Sequence, residues 1–410
     1  MNSLWQPLAV IAAVALAISL RFIPKLRGHQ FTAWIIAAVT AVMIFPTAFL
    51  KWGDFNLRDK WLMLVIIQFV MFGMGTQMSL KDFEGVAKMP RGVLVGIICH
   101  FSVMPLVGFG LTKLFHFEPE IAAGIILIGS CSSGLASNVM AYIARSNLVL
   151  SVTVTAITTM LAPLMTPRLM QWLAGELVTV PVLKMTMDII EVVLVPIGAA
   201  LLHDYLKTAP LRRRKVVHGV AASGVVWLVF LVCGGWAKIN SVAGERMLAV
   251  VTILSFLLAA VIAGLVYHEL VKRFARIEKV MPVFSMFGIV YFTLVTTAAG
   301  RDNLMKVGGL LFLAAVIHNA AGYVFGYWFS RLAKLDKSSA RSVSFEVGLQ
   351  NGGMAAAIAN SMNMLGTMGL AAAIFSPWMN ISGSILANYW RKRGENEESS
   401  PARTANSKDC

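Results

Sequence analysis

Apolar residues fall into thirteen blocks, at 4–22, 31–50, 61–79, 92–113, 121–143, 148–172, 181–202, 216–237, 247–267, 280–300, 307–330, 343–363 and 367–390. Each is close to the length of about 20 residues that an α-helix needs to cross a hydrocarbon core. Polar residues gather between the blocks. They also fill the segment 391–410, whose Glu, Ser, Asn and Lys content predicts a disordered tail. The pattern predicts an all-α polytopic membrane protein with thirteen spans.

Composition sharpens this picture. The chain is 58% hydrophobic and 13% charged, with a mean hydropathy of +0.74, whereas a soluble domain carries roughly 25% charged residues. The net charge of +15 would suit nucleic acid only if the basic residues shared a face with interleaved aromatics. Here they lie in short loops, as topology signals. Segments 21–30, 79–91, 143–147, 203–215, 268–279, 331–342 and 391–410 alternate along the chain and hold 25 of the 35 Lys and Arg. That bias puts these segments in the cytoplasm, the amino terminus outside and the carboxyl terminus inside. Residues 1–20 carry no Lys or Arg, and Arg21, Lys25 and Arg27 follow the first block, as for a retained span rather than a cleaved signal. Trp5, Trp52, Trp61, Trp172, Trp236 and Trp390 lie near block ends, where interfacial anchors sit. Cys99, Cys131, Cys233 and Cys410 are not spaced as a disulfide or metal framework.

Two blocks are interrupted. Gly129 to Asn138 reads GSCSSGLASN, and Glu346 to Gly353 reads EVGLQNGG. Backbone polar groups in lipid must be satisfied internally, so a glycine-rich break is tolerable only inside protein or beside a water-filled cavity. A carboxylate at that depth costs a few kcal/mol unless compensated. Glu346 has no basic neighbour in its own block. Either it is protonated and bonded to a neighbouring helix, or a hard cation shares its site with hydroxyl and amide oxygens. Half-helix amino termini favour anions and unwound carbonyls favour cations, which suits coupled transport of an organic anion with Na⁺. With blocks 1, 8 and 9 set aside as additions, the other ten divide five and five, the broken block fourth in each half. Five is odd, so the halves form an inverted repeat. The first occupies 31–172 and the second 181–390, with a two-helix insertion at about 216–271; residues 1–30 form an extra amino-terminal helix.

The chain resembles the bile acid:sodium symporter family. The motifs are MFGMG (Met71 to Gly75), SLKDF (Ser79 to Phe83), FSVMP (Phe101 to Pro105), ASNVMAYIAR (Ala136 to Arg145) and LSVTVT (Leu150 to Thr155). The second half adds IHNAAGY (Ile317 to Tyr323), EVGLQN (Glu346 to Asn351) and NISGSILA (Asn380 to Ala387). The resemblance implies a panel domain (31–50, 61–79, 181–202, 280–300) and a core domain (92–172, 307–390) in which the two broken helices cross, with substrate between the domains. It implies a first sodium site at Ser137, Asn138, Ser151, Thr155 and Glu346. Ser151 and Thr155, four apart, share one helix face. It implies a second sodium site at Glu346, Val347, Leu349 and Gln350, with His100 where the family carries glutamine; a proton could replace that ion. Leu135, Asn351 and Met379 fall at substrate-contacting positions. Leu135 and Met379 depart from the residues relatives carry there, as does Ser132-Ser133-Gly134, which favours a small or medium organic anion over a bile acid.

No organic cofactor and no nucleic-acid partner are expected; the partners are the anion and the lipid bilayer, and oligomeric state is open. Asp188 and Glu191, three apart, read either as a cation vestibule or as a solvated helix end paired with Lys184. An intramembrane hydrolase is disfavoured, since His268-Glu269 lacks a second His four residues after the first and the residue two before Ser133 is Cys131, where a GxSG pattern needs glycine. A channel would want a continuous polar ring. A proton-coupled or uncoupled anion carrier, or an arsenite-type efflux carrier using Cys131, stays as an alternative.

Overall fold

In a computed structural model, residues 5–23 and 30–398 are described. Lys25, Arg27 and the tail from 399 onward, Cys410 included, lie outside the described residues. The chain runs through α1 (Trp5–Ser19), α2 (Gln30–Ile44), α3 (Lys60–Gly75), α4 (Gly85–Lys88), α5 (Pro90–Phe115), α6 (Pro119–Ser130), α7 (Ala136–Ile143), α8 (Leu148–Ala174) and α9 (Val182–Ile189). It continues through α10 (Val195–Thr208), α11 (Leu211–Phe230), α12 (Trp236–Val242), α13 (Glu245–Arg273), α14 (Arg276–Ala299), α15 (Arg301–Leu332), α16 (Lys337–Gly348), α17 (Gly352–Ser361) and α18 (Gly369–Glu398). Single π-turns at Ile190–Leu194 and Leu231–Gly235 join α9 to α10 and α11 to α12. A two-residue hairpin at 51–56 is the only sheet among the described residues.

Each predicted block falls on a helix or a pair of helices. Eight helices are long and apolar enough to cross a membrane, or nine counting the bent pair Trp61–Gly75 and Leu80–Lys88, which turns by 62°. The shortfall from thirteen has a physical reason. The two broken blocks are cut into halves of 12 and 8 residues and of 12 and 10 residues, and α1 and α2 have 15 each, against the roughly 20 that a full crossing needs. The predicted tail also begins later than expected, because α18 continues to Glu398.

Loop side chains set the helix starts. Asp59 accepts from the Trp61 and Leu62 amides, Asn147 from Leu150, Asp336 from Ser339 and Asn351 from Met354. Pro90 and Pro119 open α5 and α6, where a missing N–H costs nothing. Packing sorts the helices into two groups. The long α5, α8 and α15 enclose α6, α7 and α16 together with α18, whereas α3 packs on α10 and α14, and α14 on α2. The inserted α13 lies along α10 and carries α11 on its other side; α1 packs on α2. The main apolar core runs through the first group and across its contact with α3 and α9. Trp52, Trp61 and Trp172 are exposed as anchors should be, but Trp390 turns inward against Phe345 and Tyr327.

Candidate functional site

The two interrupted helices meet at their breaks. After α6 the chain is non-helical through residues 131–135, and after α16 through 349–351. These strips pair antiparallel at Ser133 and Gln350. The Gly134 amide donates to the Leu349 carbonyl at 3.0 Å and the Asn351 amide to the Ser132 carbonyl at 2.8 Å. Each break thus supplies main-chain partners that lipid cannot. Gly134 makes the approach possible, because a Cβ there would lie 2.6 Å from the Gln350 carbonyl oxygen.

Beside this crossing, four oxygen-bearing side chains surround the Glu346 carboxylate. Ser151 Oγ donates to Oε1 at 2.5 Å and Thr155 Oγ1 to Oε2 at 2.7 Å. The same two hydroxyls lie 3.0 and 3.2 Å from Asn138 Oδ1, and Ser137 Oγ is 3.3 Å from Thr155 Oγ1. Ser151 and Thr155 reach together because they are one turn apart on α8; Ser137 and Asn138 come from the first turn of α7, Glu346 from the last of α16. All five side chains of the expected first site therefore converge. Glu346, Ser137 and Ser151 are wholly buried. Among the described residues no Lys or Arg forms an ion pair with Glu346, and no three His, Cys, Asp or Glu side chains form a metal-holding cluster.

The residues expected at a second site are arranged differently. His100, wholly buried, bridges two main-chain carbonyls: Nδ1 lies 2.9 Å from Glu346 O and Nε2 2.8 Å from Cys131 O. A carbonyl only accepts and a neutral imidazole has one N–H to give, so the neutral ring donates to one of these two carbonyls, at the ends of α6 and α16, while its other nitrogen only faces the second. Gln350 Nε2 donates to the Val347 carbonyl at 2.8 Å, while Gln350 Oε1 is buried without a partner among the described residues. Leu349 O accepts from Gly134 and from Ser133 Oγ.

Asn351 caps α17, Met379 is buried on α18 with its carbonyl accepting from Tyr323, and Leu135 precedes α7. The space between the helix groups is a crevice of about 20 Å³, with room for one water, walled by α3 and α14 on one side and α17 and α18 on the other. Gly352 and Gly353 at the start of α17 line it, as does Thr296, whose buried hydroxyl has no partner among the described residues. Thr296 was not visible in the sequence as anything but one membrane threonine among many; such hydroxyls commonly bond back to their own helix. Lys184 bonds the Ser361 carbonyl at 3.2 Å rather than Asp188, tying α9 to the end of α17. Glu191 sits in the π-turn that follows.

The sequence model of the Sodium Bile acid symporter family matches residues 64–242. An uncharacterized sodium-dependent transporter of Bacillus subtilis, YocS, is 30% identical over 91% of this chain and 94% of its own length. A probable chloroplastic sodium/metabolite cotransporter of Arabidopsis thaliana is 29% identical, over 90% of this chain and 75% of its own. The human ileal sodium/bile acid cotransporter is 26% identical, over 70% and 65%. Likeness over nearly the full length of the bacterial protein, together with the family match, shows that this chain belongs to the sodium bile acid symporter family, whose members are transporters and not enzymes.

Proposed function

We propose that this protein is a sodium-coupled symporter of a small organic anion, working by alternating access in the cell membrane with its amino terminus outside. The observation that carries the reading is the buried Glu346 carboxylate, ringed by hydroxyl and amide oxygens and lacking a protein cation among the described residues. Hydroxyl, amide and carboxylate oxygens, with no thiol or imidazole, suit an alkali cation rather than a transition metal. The ion compensates a charge that burial otherwise penalises by several kcal/mol. On binding, Ser151 and Thr155 turn their protons away and present lone pairs.

One sodium ion per cycle fits the surroundings best. At the second position both His100 nitrogens face main-chain carbonyls, so the ring is turned to those rather than to an ion, and among the described residues Gln350 Oε1 is the side-chain oxygen left unpartnered there. The anion is placed in the crevice at the start of α17, where helix-end N–H groups favour negative charge and the Thr296 hydroxyl has no other acceptor. Opening the crevice by rocking α3 and α14 against α17 and α18 admits it, and panel and core are the natural names for the two moving groups.

The test is a screen of organic anions in proteoliposomes, with and without an inward sodium gradient. The expected result is gradient-dependent uptake of at least one small carboxylate or sulfonate, with a sodium Hill coefficient near one; uptake indifferent to sodium for every active anion defeats the coupling. Thr296→Val is expected to raise KM for the transported anion about 10-fold, since a hydrogen bond to a charged group contributes roughly 1.5–3 kcal/mol. An unchanged KM removes Thr296 from the anion's path.

A further inference from the structure

A basic and aromatic recess lies away from the crossing, at the end of the bundle that carries 331–342 and the last turns of α18. It has a volume of about 430 Å³ and opens between α15, α16 and α18. Its basic residues are Lys337 and Arg341 from α16 and Arg393 from α18; Tyr327, Trp328 and Trp390 supply aromatic walls. The Arg341 guanidinium lies 5.8 Å from the centre of the Trp390 ring, within cation–π distance of the wall. Among the described residues no carboxylate pairs with Arg341. The two acids nearest in sequence are engaged elsewhere: Asp336 caps α16 by accepting from the Ser339 amide at 3.0 Å, and Glu346 accepts from Ser151 and Thr155.

Beside the recess the surface is apolar. Val324, Phe325, Trp328, Phe329 and Leu332 on α15 are exposed, a stripe suited to acyl chains. A basic recess continuous with a lipid-facing apolar stripe matches a molecule that is anionic at one end and hydrocarbon at the other. The position is also that of a basic pocket between membrane helices on the side where Lys and Arg concentrate, as anionic headgroups require. We propose that this recess binds the headgroup of an anionic phospholipid, with Arg341 as the central phosphate ligand. The wall connects to the crossing: the Phe345 ring, next to Glu346 in the chain, lies 5.1 Å from Trp390 and 6.2 Å from Tyr323. A bound headgroup therefore braces the half-helix that carries the acid, whatever the protein transports.

The experiment measures thermal unfolding of the full-length protein in neutral detergent with phosphatidylglycerol, phosphatidylcholine or sn-glycerol 1-phosphate. Phosphatidylglycerol is expected to raise the midpoint by about 4 °C at saturation, and the other two to leave it unchanged. Arg341→Gln should abolish most of the rise; Lys272→Gln, whose side chain pairs with Glu269 elsewhere, should preserve it. If Arg341→Gln does not fold, Arg341→Lys and Arg393→Gln carry the test, each expected to at least halve the rise. An equal rise with phosphatidylcholine, a full rise in the Arg341 and Arg393 variants, or a rise with glycerol phosphate alone overturns the proposal, the last by making this a site for free phosphates.

Discussion

Glu346→Gln is expected to lower sodium-driven uptake by about 100-fold or more while leaving the protein folded. The substitution keeps shape and one carbonyl oxygen but removes the charge. Breaking a buried charge pair costs roughly 3–5 kcal/mol, and each 1.4 kcal/mol is tenfold, so the ion's affinity falls by two decades or more. The fold should not suffer. Ser151 and Thr155 now donate to the carboxylate oxygens at 2.5 and 2.7 Å, and an amide offers one acceptor to the first while donating to the second or to Asn138 Oδ1. In sodium-free buffer the variant should melt no lower than the wild type, since a buried carboxylate without a cation is the costlier group. Added sodium should stabilise the wild type and not the variant. Uptake assays in proteoliposomes and thermal scans with and without sodium read both halves. A variant that still concentrates its anion on a sodium gradient would falsify the assignment of this carboxylate to the ion.

Gly134→Val acts on the scaffold instead. A Cβ at this position meets the Gln350 carbonyl oxygen at 2.6 Å, and backbone, unlike a side-chain tip, cannot swing aside. The strip from 131 to 135 must then withdraw, breaking the amide bond to Leu349 at 3.0 Å. Overpacking costs typically 1–3 kcal/mol, and an unmet main-chain pair away from water adds about as much again. The expected outcome is a loss of roughly 3 kcal/mol or more, no measurable uptake, and low recovery of monodisperse protein in detergent. Gly198→Val, at a site with open space around its Cβ, is the comparison that should purify normally.

The linear pattern carried much of this. Blocks of membrane length are local properties, and every helix of α5 or longer falls on one. The breaks were legible because serine, asparagine and glycine in a span violate a rule that lipid enforces. Ser137, Asn138, Ser151, Thr155 and Glu346 were grouped by the family resemblance; from the residues themselves only the shared helix face of Ser151 and Thr155, four apart, could be read. What stayed hidden depends on which helix faces which. Thr296 gains meaning only because α14 lies opposite α17. Trp390 sits near a block end, yet turns inward to Phe345. The apparent Lys184–Asp188 pairing yields to a carbonyl of Ser361, supplied by a helix 177 residues away. The placing of His100 between two carbonyls likewise needed both half-helix ends in place.

The pairing of Ser133 with Gln350 also bears on how the molecule is made. A ribosome that has synthesised only the first 340 or so residues has delivered one interruption to the bilayer without the strip that completes it. During that interval the Gly134 amide and Ser132 carbonyl must be sheltered by translocation machinery, by water or by transient partners. Closure is consequently a late event in biogenesis, gated by emergence of the second interruption. Chains that terminate early carry an open wound at mid-membrane depth, a natural mark for quality-control proteases.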